Sequence, residues 1–405
     1  MQQEHTDQRR IRGLQLAQTT RIIQTQQGDW NVPSSSGKGY YVVKSKGIGA
    51  ECNCPDYELR KSKCKHIWAV ELIVTEEVDR EGNMTITQTQ RITYKQDWKN
   101  YNLAQTQEKQ YFMKLLADVT NRIPNPPYTF GRPTNPLSDM VYSMVFKVYS
   151  TFSGRRFNTD MEMATEHNYV SKRIPYNSMF DYFKKKELTP ILVHLVTLTS
   201  LPLRSVEKDF TIDSTGFGTS QFQRWFSFKH GKQINSRKWV KCHFMCGVKT
   251  NIITSVKITS EFEQDCPQLQ ELYNTTKEHF DMQELSADKA YLSRNNLETL
   301  EDEGTKVFIP FKSNSVPNKK GMTWKRLYHF FMLHNDEFLE HYHKRSNAET
   351  TVFMIKSKFG DCVRSKTWTA QVNESLCKVI AHNIYCVIME MHCLGIKAEF
   401  DLKVN

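Results

Sequence analysis

The chain has 405 residues, long enough for two or three domains that each bury a core. Its 39% hydrophobic and 12% aromatic content suits a folded soluble protein rather than a disordered one. A net charge of +11 favours a polyanionic partner, of which nucleic acid is the commonest.

The residues after Met1 are polar and charged, so no secretory signal is expected. The longest apolar stretch, from Pro190 to Val196, falls short of a membrane span. Ten cysteines in such a chain suit a reducing cytosol, where thiols are free or metal-bound. The expectation is a cytoplasmic protein with no membrane partner. There is no Gly-x-Ser-x-Gly word for acyl transfer and no Gly-rich phosphate loop for NTP hydrolysis.

In chain order, residues 1–75 begin Gln-, Thr- and Arg-rich, then give a strand at Tyr40, a cysteine cluster and a short helix from His66. Residues 76–110 are polar and read as a linker. Residues 111–205 show helical spacing, notably from Asp139 to Tyr149, after the helix-entry word Gly131-Arg-Pro. This helical segment holds 12 Lys and Arg against 7 Asp and Glu, which makes it a candidate for phosphate contact. Lys184 to Lys186 read as surface.

From residue 206 the pattern turns α/β. Strands are expected at Phe210–Asp213, Val240–Cys246, Ile252–Ile258, Gln283–Asp288 and Val307–Phe311. Helices are expected at 266–280 and 295–303. A polar loop spans 312–322, a long helical region follows, and a last helix covers about 372–393. Three antiparallel-type strands followed by alternating helices and strands make a mixed sheet. In the second strand Cys242 and Cys246 alternate with Lys241, His243 and Met245; the cysteines read as core, while Lys241 and His243 lie on the polar side, facing solvent or DNA. Cys377, Cys386 and Cys393 read as core residues of the last helix.

Cys52-x-Cys54-x9-Cys64-x-His66 supplies three thiolates and an imidazole, a complete tetrahedral set for structural Zn2+. The words Cys54-Pro-Asp-Tyr and Cys64-Lys-His-Ile-Trp-Ala-Val resemble the SWIM zinc finger, a small module that binds nucleic acid or protein.

Three acids stand on separate segments. Asp213 follows Phe-Thr-Ile, Asp288 follows Leu-Ser-Ala, and Glu349 lies in Tyr342-x2-Arg345-x3-Glu349-x6-Lys356. Hard divalent cations take oxygen ligands, and two of them can clamp the attacking and leaving oxygens of a phosphodiester. On one continuous helix Tyr342, Arg345, Glu349 and Lys356 would lie within roughly 60° of one another. Asp209 is a rival ligand, but it precedes its strand, whereas ligands in open α/β sheets gather at carboxyl ends.

The Tyr-x2-Arg-x3-Glu-x6-Lys run, with the Ile-Asp-Ser-Thr and Ala-Asp-Lys-Ala-Tyr words, resembles the DDE transposases of the insertion-sequence four/five group. Gly131-Arg-Pro and Gln371-x-Asn-Glu-x3-Lys378 resemble that group too, so the likeness covers about residues 128–395. It implies a ribonuclease H-like mixed-sheet catalytic domain over 206–405, preceded by a helical, basic DNA-binding region and a small zinc-binding domain. It implies that Asp213, Asp288 and Glu349 are catalytic and hold Mg2+ or Mn2+, with Tyr342, Arg345 and Lys356 on DNA. The activity implied is binding to terminal inverted repeats, then metal-dependent cleavage and strand transfer by a two-metal mechanism. Double-stranded DNA and a homodimer on DNA are the implied partners. Only 60 residues separate Asp288 from Glu349, which leaves no room for the large β-rich insertion of some members. The alternatives are a DNA-binding protein derived from such an enzyme, and a metal-dependent nuclease without strand transfer.

Overall fold

The structure, a computed structural model, describes residues 97–127, 130–131, 133–219, 239–317 and 321–401. Before these it describes residues 9, 12–13, 16–17, 20, 22–25, 28–34, 39–46, 49–61, 63–71, 74–78 and 84–88. They fall into two compact units, Met1–Lys95 and Gln96–Asn405.

The first unit is built around a small antiparallel sheet, β1 (Ile23–Gln24), β2 (Trp30–Pro33), β3 (Tyr40–Lys46) and β4 (Gly49–Cys52), paired in that order. Two short helices follow, α1 (Pro55–Arg60) and α2 (Lys65–Glu71). Val32, Val43, Ile67 and Ala69 form its core together with the thiols of Cys52, Cys54 and Cys64. So few apolar side chains are a thin core, and a metal cross-link is the usual supplement at this size.

Residues 74–110 differ from a plain linker. β5 (Val74–Val78) and β6 (Met84–Gln88) pair antiparallel, Val74 opposite Gln88. Ladder hydrogen bonds come from the backbone, so a polar stretch can form them without an apolar stripe. Trp98–Thr120 is then one helix, α3, whose N-cap Asp97 accepts from the Asn100 N–H at 3.2 Å. Its polar first half hides the periodicity, because the buried positions cluster late, at Phe112, Leu115, Leu116 and Val119.

In the second unit, α3 is joined by α4 (Leu137–Ser150), α5 (Phe157–Glu166), α6 (Tyr176–Phe183) and α7 (Leu188–Ser200). These helices and the sheet that follows share one core. Leu195, Leu201 and Leu203 are packed in the same cluster as Phe210 and Ile212, with no break near residue 205. The last helix, α13 (Trp368–Cys393), is buried along most of Val372–Ile388 and runs through that core. Two buried asparagines tie it in. Asn383 accepts from the Ile253 N–H at 2.9 Å and donates to the carbonyls of Ile253 at 2.7 Å and Val196 at 3.1 Å. Asn373 donates to the carbonyl of Phe183 at 2.9 Å and accepts from the Thr189 hydroxyl at 2.8 Å. With their partners supplied, these amides fix the helix register without leaving unpaired polar groups.

The sheet has five strands: β7 (Asp209–Gly218), β8 (Trp239–Gly247), β9 (Ile253–Ser260), β10 (Glu284–Ala287) and β11 (Lys306–Phe308), in the order β11-β10-β7-β8-β9. β7, β8 and β9 are antiparallel neighbours, while β10 runs parallel to β7 and β11 parallel to β10. This is the mixed α/β arrangement expected from the sequence. Between the strands lie α8 (Leu269–Lys277) and α9 (Arg294–Asp302). Then come α10 (Met322–Leu333), α11 (Asn335–Tyr342), a 3-10 turn at His343–Arg345 and α12 (Ser346–Phe359).

Both faces of β8 are covered, which corrects the expectation that one faces solvent or DNA. His243 and Met245 are fully buried. The His243 ring meets the Thr259 hydroxyl at 2.8 Å and Asp265 at 3.1 Å. Lys241 turns to Asp265 at 3.0 Å. Alternation is a sign of a one-faced sheet, but α8 lies on this second face: the Ser255 hydroxyl donates to the Leu272 carbonyl at 2.8 Å. Cys242, Cys246, Cys377 and Cys386 are buried as expected, and Cys393 is half-buried. Lys184 and Lys186 are exposed, and Lys185 lies 3.7 Å over the Tyr182 ring.

Candidate functional site

The thiol cluster is built by chain ends. Cys52 closes β4, Cys54 caps α1, Cys64 immediately precedes α2, and His66 lies in the first turn of α2. All four are buried, and their ligand atoms lie within 4.8 Å of one another. His66 Nδ1 stands 3.9 Å from the sulfurs of both Cys52 and Cys64. Tyr41 packs its ring 4.6 Å from the imidazole. The Cys64 thiol is held down by the neighbouring Cys52 thiol, which is itself pushed up in return. Three sulfurs and an imidazole nitrogen, dry and mutually close, fit a tetrahedral zinc ion with no open position. This is a Cys3His zinc site.

The acid site is built by register. β7 and β10 pair Ile212 with Ala287, so Asp213 and Asp288, the next residue of each, stand side by side. Neighbouring strands are about 4.8 Å apart, which brings the two carboxylates to one edge. The chain repeats one pattern here, Asp209-Phe-Thr-Ile-Asp213 and Glu284-Leu-Ser-Ala-Asp288. Side chains two apart share a face, so acid, hydroxyl and acid form three rungs across the strand pair. The turn at His343–Arg345 lies over this ladder. Lys344 reaches the first rung, Asp209 at 2.8 Å and Glu284 at 3.0 Å. The Ser286 hydroxyl of the second rung donates to the His341 carbonyl at 3.0 Å. Arg345 reaches the third, Asp213 at 3.4 Å, and also Glu349 at 3.0 Å.

Glu349 thus joins the site through Arg345, from the first turn of α12. It is the open side of the site, 65% exposed against 20% for Asp213. Burial pushes the Asp213 carboxyl up, and Asp288 and Glu349 add to this, against the Ser214 N–H and Arg345. The Tyr342 hydroxyl is pushed up by burial and by the same three acids, so it borders the site too. Among the described residues the three acids are not drawn as close together as the zinc ligands. A guanidinium lies between two of them instead.

Two sequence expectations change. The Tyr342–Lys356 run is not one α-helix: α11 ends at Tyr342, Arg345 closes the 3-10 turn, and Glu349 and Lys356 belong to α12. A 3-10 turn advances 120° per residue rather than 100°, so the four residues do not keep the common face calculated for a single α-helix. Asp209 opens β7 rather than preceding it and pairs with Lys344, and Asp213 lies mid-strand rather than at the carboxyl end, because β7 runs on to Gly218 against β8. Sequence reasoning missed Glu284 and Lys344, although the repeated five-residue pattern on the two strands carried the signal. It also missed Tyr291, buried with its hydroxyl unpartnered among the described residues and influenced by Asp265, Asp213 and Asp288.

Residues 204–384 match the model of the transposase DDE domain, and residues 41–74 match that of the SWIM zinc finger. No curated protein matches the chain. Among solved structures it is similar to a piggyBac transposase in its synaptic complex with hairpin DNA. The identity is 13% and the TM-score 0.36, over 77% of this chain and 79% of that one. The chain carries a transposase DDE domain, with a SWIM zinc finger ahead of it in the sequence.

Proposed function

We propose that the protein is a DNA transposase that binds the terminal inverted repeats of its element, cuts there and transfers the freed strand to target DNA. The observation that carries this reading is the strand register that sets Asp213 beside Asp288, with Glu349 tied to Asp213 through Arg345. The strand order, three antiparallel strands with two parallel ones added at the β7 edge, supports a ribonuclease H-like catalytic fold.

The residues fit the cations that the chemistry needs. Three carboxylates are hard oxygen donors, and Asp213, raised first by burial and then by the nearby Asp288 and Glu349, is a carboxylate that a cation would stabilise. Mg2+ or Mn2+ held by Asp213, Asp288 and Glu349 would supply the Lewis acidity and the activated water for phosphodiester hydrolysis. Arg345 has a second task in this reading. Its planar fork pairs with Asp213 and Glu349 and is also the right shape for a phosphate. Lys356, seven residues after Glu349, stands about 10 Å further along α12 and offers a point charge to the DNA backbone. Tyr342 borders the same surface. The zinc finger and the basic helices of 111–205 would grip the element ends, and two chains on two ends make a dimer on DNA.

The test is cleavage of a supercoiled plasmid carrying the gene's own flanking ends. Cuts at the ends that need Mg2+ and disappear with chelator or with Glu349→Gln support the reading. Equal cutting by Glu349→Gln contradicts it.

A further inference from the structure

A concavity apart from the acid ladder lies in the second unit, walled by α4, α6, the segment after α12 and the first turns of α13. Its volume is about 480 Å3, inside the roughly 300–1,000 Å3 range of small-molecule sites. The wall combines two chemistries. Phe152 and Phe180 line it while 48% and 40% exposed, although burial is where aromatic rings gain most. Lys147, Arg364 and Lys366 give it positive charge, and Glu374 is the carboxylate of the lining. Both Glu374 oxygens are already used, accepting from the N–H groups of Arg364 and Ser365 at 2.8 Å each.

Lys147 is the unexplained group. It is only 7% exposed, yet among the described residues its ammonium makes no hydrogen bond or ion pair. It meets the Phe157 ring at 5.9 Å. Burial and the nearby Arg364 push its pKa down to about 8. The stem of Lys147 is buried while its ammonium opens on the cavity without a protein acceptor among the described residues, and an anion there would supply one. A bare anion would leave the aromatic wall without purpose. A phosphate that carries a planar ring answers both, since bases stack on aromatic side chains irrespective of sequence.

We propose that this cavity seats one nucleotide unit, its phosphate on Lys147 with Arg364 and Lys366 around it, its ring against Phe152 and Phe180. Its place suits a DNA strand. Gly218, at the end of β7, bridges to Cys362 of the cavity wall. Asp213 lies five residues back on that strand, about 17 Å away. The nucleotide is therefore either one unstacked from bound DNA, which rests on the transposase reading, or a free nucleotide, which does not.

The test uses the zinc-loaded full chain without divalent cations at the acid site. Its probes are dAMP and a short single-stranded oligonucleotide containing 2-aminopurine, followed by equilibrium dialysis and by fluorescence quenching. Phe180→Ala, at an exposed position, and Lys147→Met should each weaken binding at least about tenfold, with Lys147→Arg closer to wild type. Binding of dAMP with that pattern assigns the cavity to free nucleotides, and binding of the oligonucleotide alone assigns it to the DNA strand. No binding of either probe, or wild-type binding by Phe180→Ala, overturns the proposal. Glu349→Gln should bind both probes as wild type does. Failure of the transposase reading would show instead as absent plasmid cleavage by the wild type, whatever these affinities are.

Discussion

Arg345 stands between Asp213 and Glu349, 3.4 Å from the first and 3.0 Å from the second. One residue earlier, Lys344 clasps Asp209 and Glu284. A single turn thus holds both ends of a two-strand acid ladder, and through it the start of α12 is fixed over the strand that carries Asp213.

Replacing an acid of the triad should remove chemistry and spare binding. Asp213→Asn, Asp288→Asn and Glu349→Gln are each expected to lower end cleavage by at least about a thousandfold, the upper range for loss of one preorganised electrostatic group. Gel-shift affinity for the element ends should stay near wild type. Parallel loss of binding and cleavage would mean that the acids hold the fold rather than the reaction.

Lys344 positions the turn without touching the reacting atoms. Burial alone would push its ammonium down, but Asp209 and Glu284 outweigh that and raise it. A raised lysine pKa means that its stabilisation is complete below the unfolded value and is lost only as pH climbs through the folded one, so the clasp is intact at neutral pH. Lys344→Met leaves Glu284 buried with one fewer donor and should cost about 1–3 kcal/mol in denaturant unfolding. It should also depress cleavage through Glu349. Lys344→Arg should restore most of both.

The acid site should cost the cation-free protein stability. Burial raises the Asp213 carboxyl, so folding favours its protonated form, and the penalty grows as pH rises through the folded pKa. At neutral pH, Asp213→Asn should therefore raise the melting temperature of the metal-free protein. Mn2+ should raise it in the wild type and not in the variant, by linkage to a cation bound only in the native state.

Zinc removal should act on the first unit. A chelator strong enough to take zinc, or Cys64→Ser, should unfold residues 22–71 as seen by proteolysis, because the thiols are part of that unit's core. Zinc affinity should fall as pH falls, since the ligands bind deprotonated. A colorimetric assay should release about one zinc per chain, as expected for a four-ligand site.

Much of this was legible in the sequence, for identifiable reasons. The cysteine spacing set out the zinc ligands because each close pair sits on a turn or helix start. The five strands were legible because β-branched and aromatic residues cluster there, with boundaries shifted by a few residues, as where Val307–Phe311 became Lys306–Phe308. The first half of α3 was hidden because its buried positions come late. His243 was misplaced because alternation reports polarity and not what covers the second face. The tightening at His343–Arg345 leaves no mark in residue spacing; it is visible only with Lys344 and Arg345 docked on the sheet. The clasp itself was latent in two matching words, Asp209 to Asp213 and Glu284 to Asp288, whose meaning depends on the strands being parallel neighbours.

The central claim is that Asp213, Asp288 and Glu349 form one divalent-cation site. The most direct measurement is a Mn2+ titration of the zinc-loaded protein followed by electron paramagnetic resonance, with wild type, Asp213→Asn and Asp288→Asn in parallel. The account predicts uptake of up to about two Mn2+ per chain in the wild type, the number a two-metal site holds, and loss of that uptake in both variants. Mn2+ binding that is the same in all three proteins would contradict it.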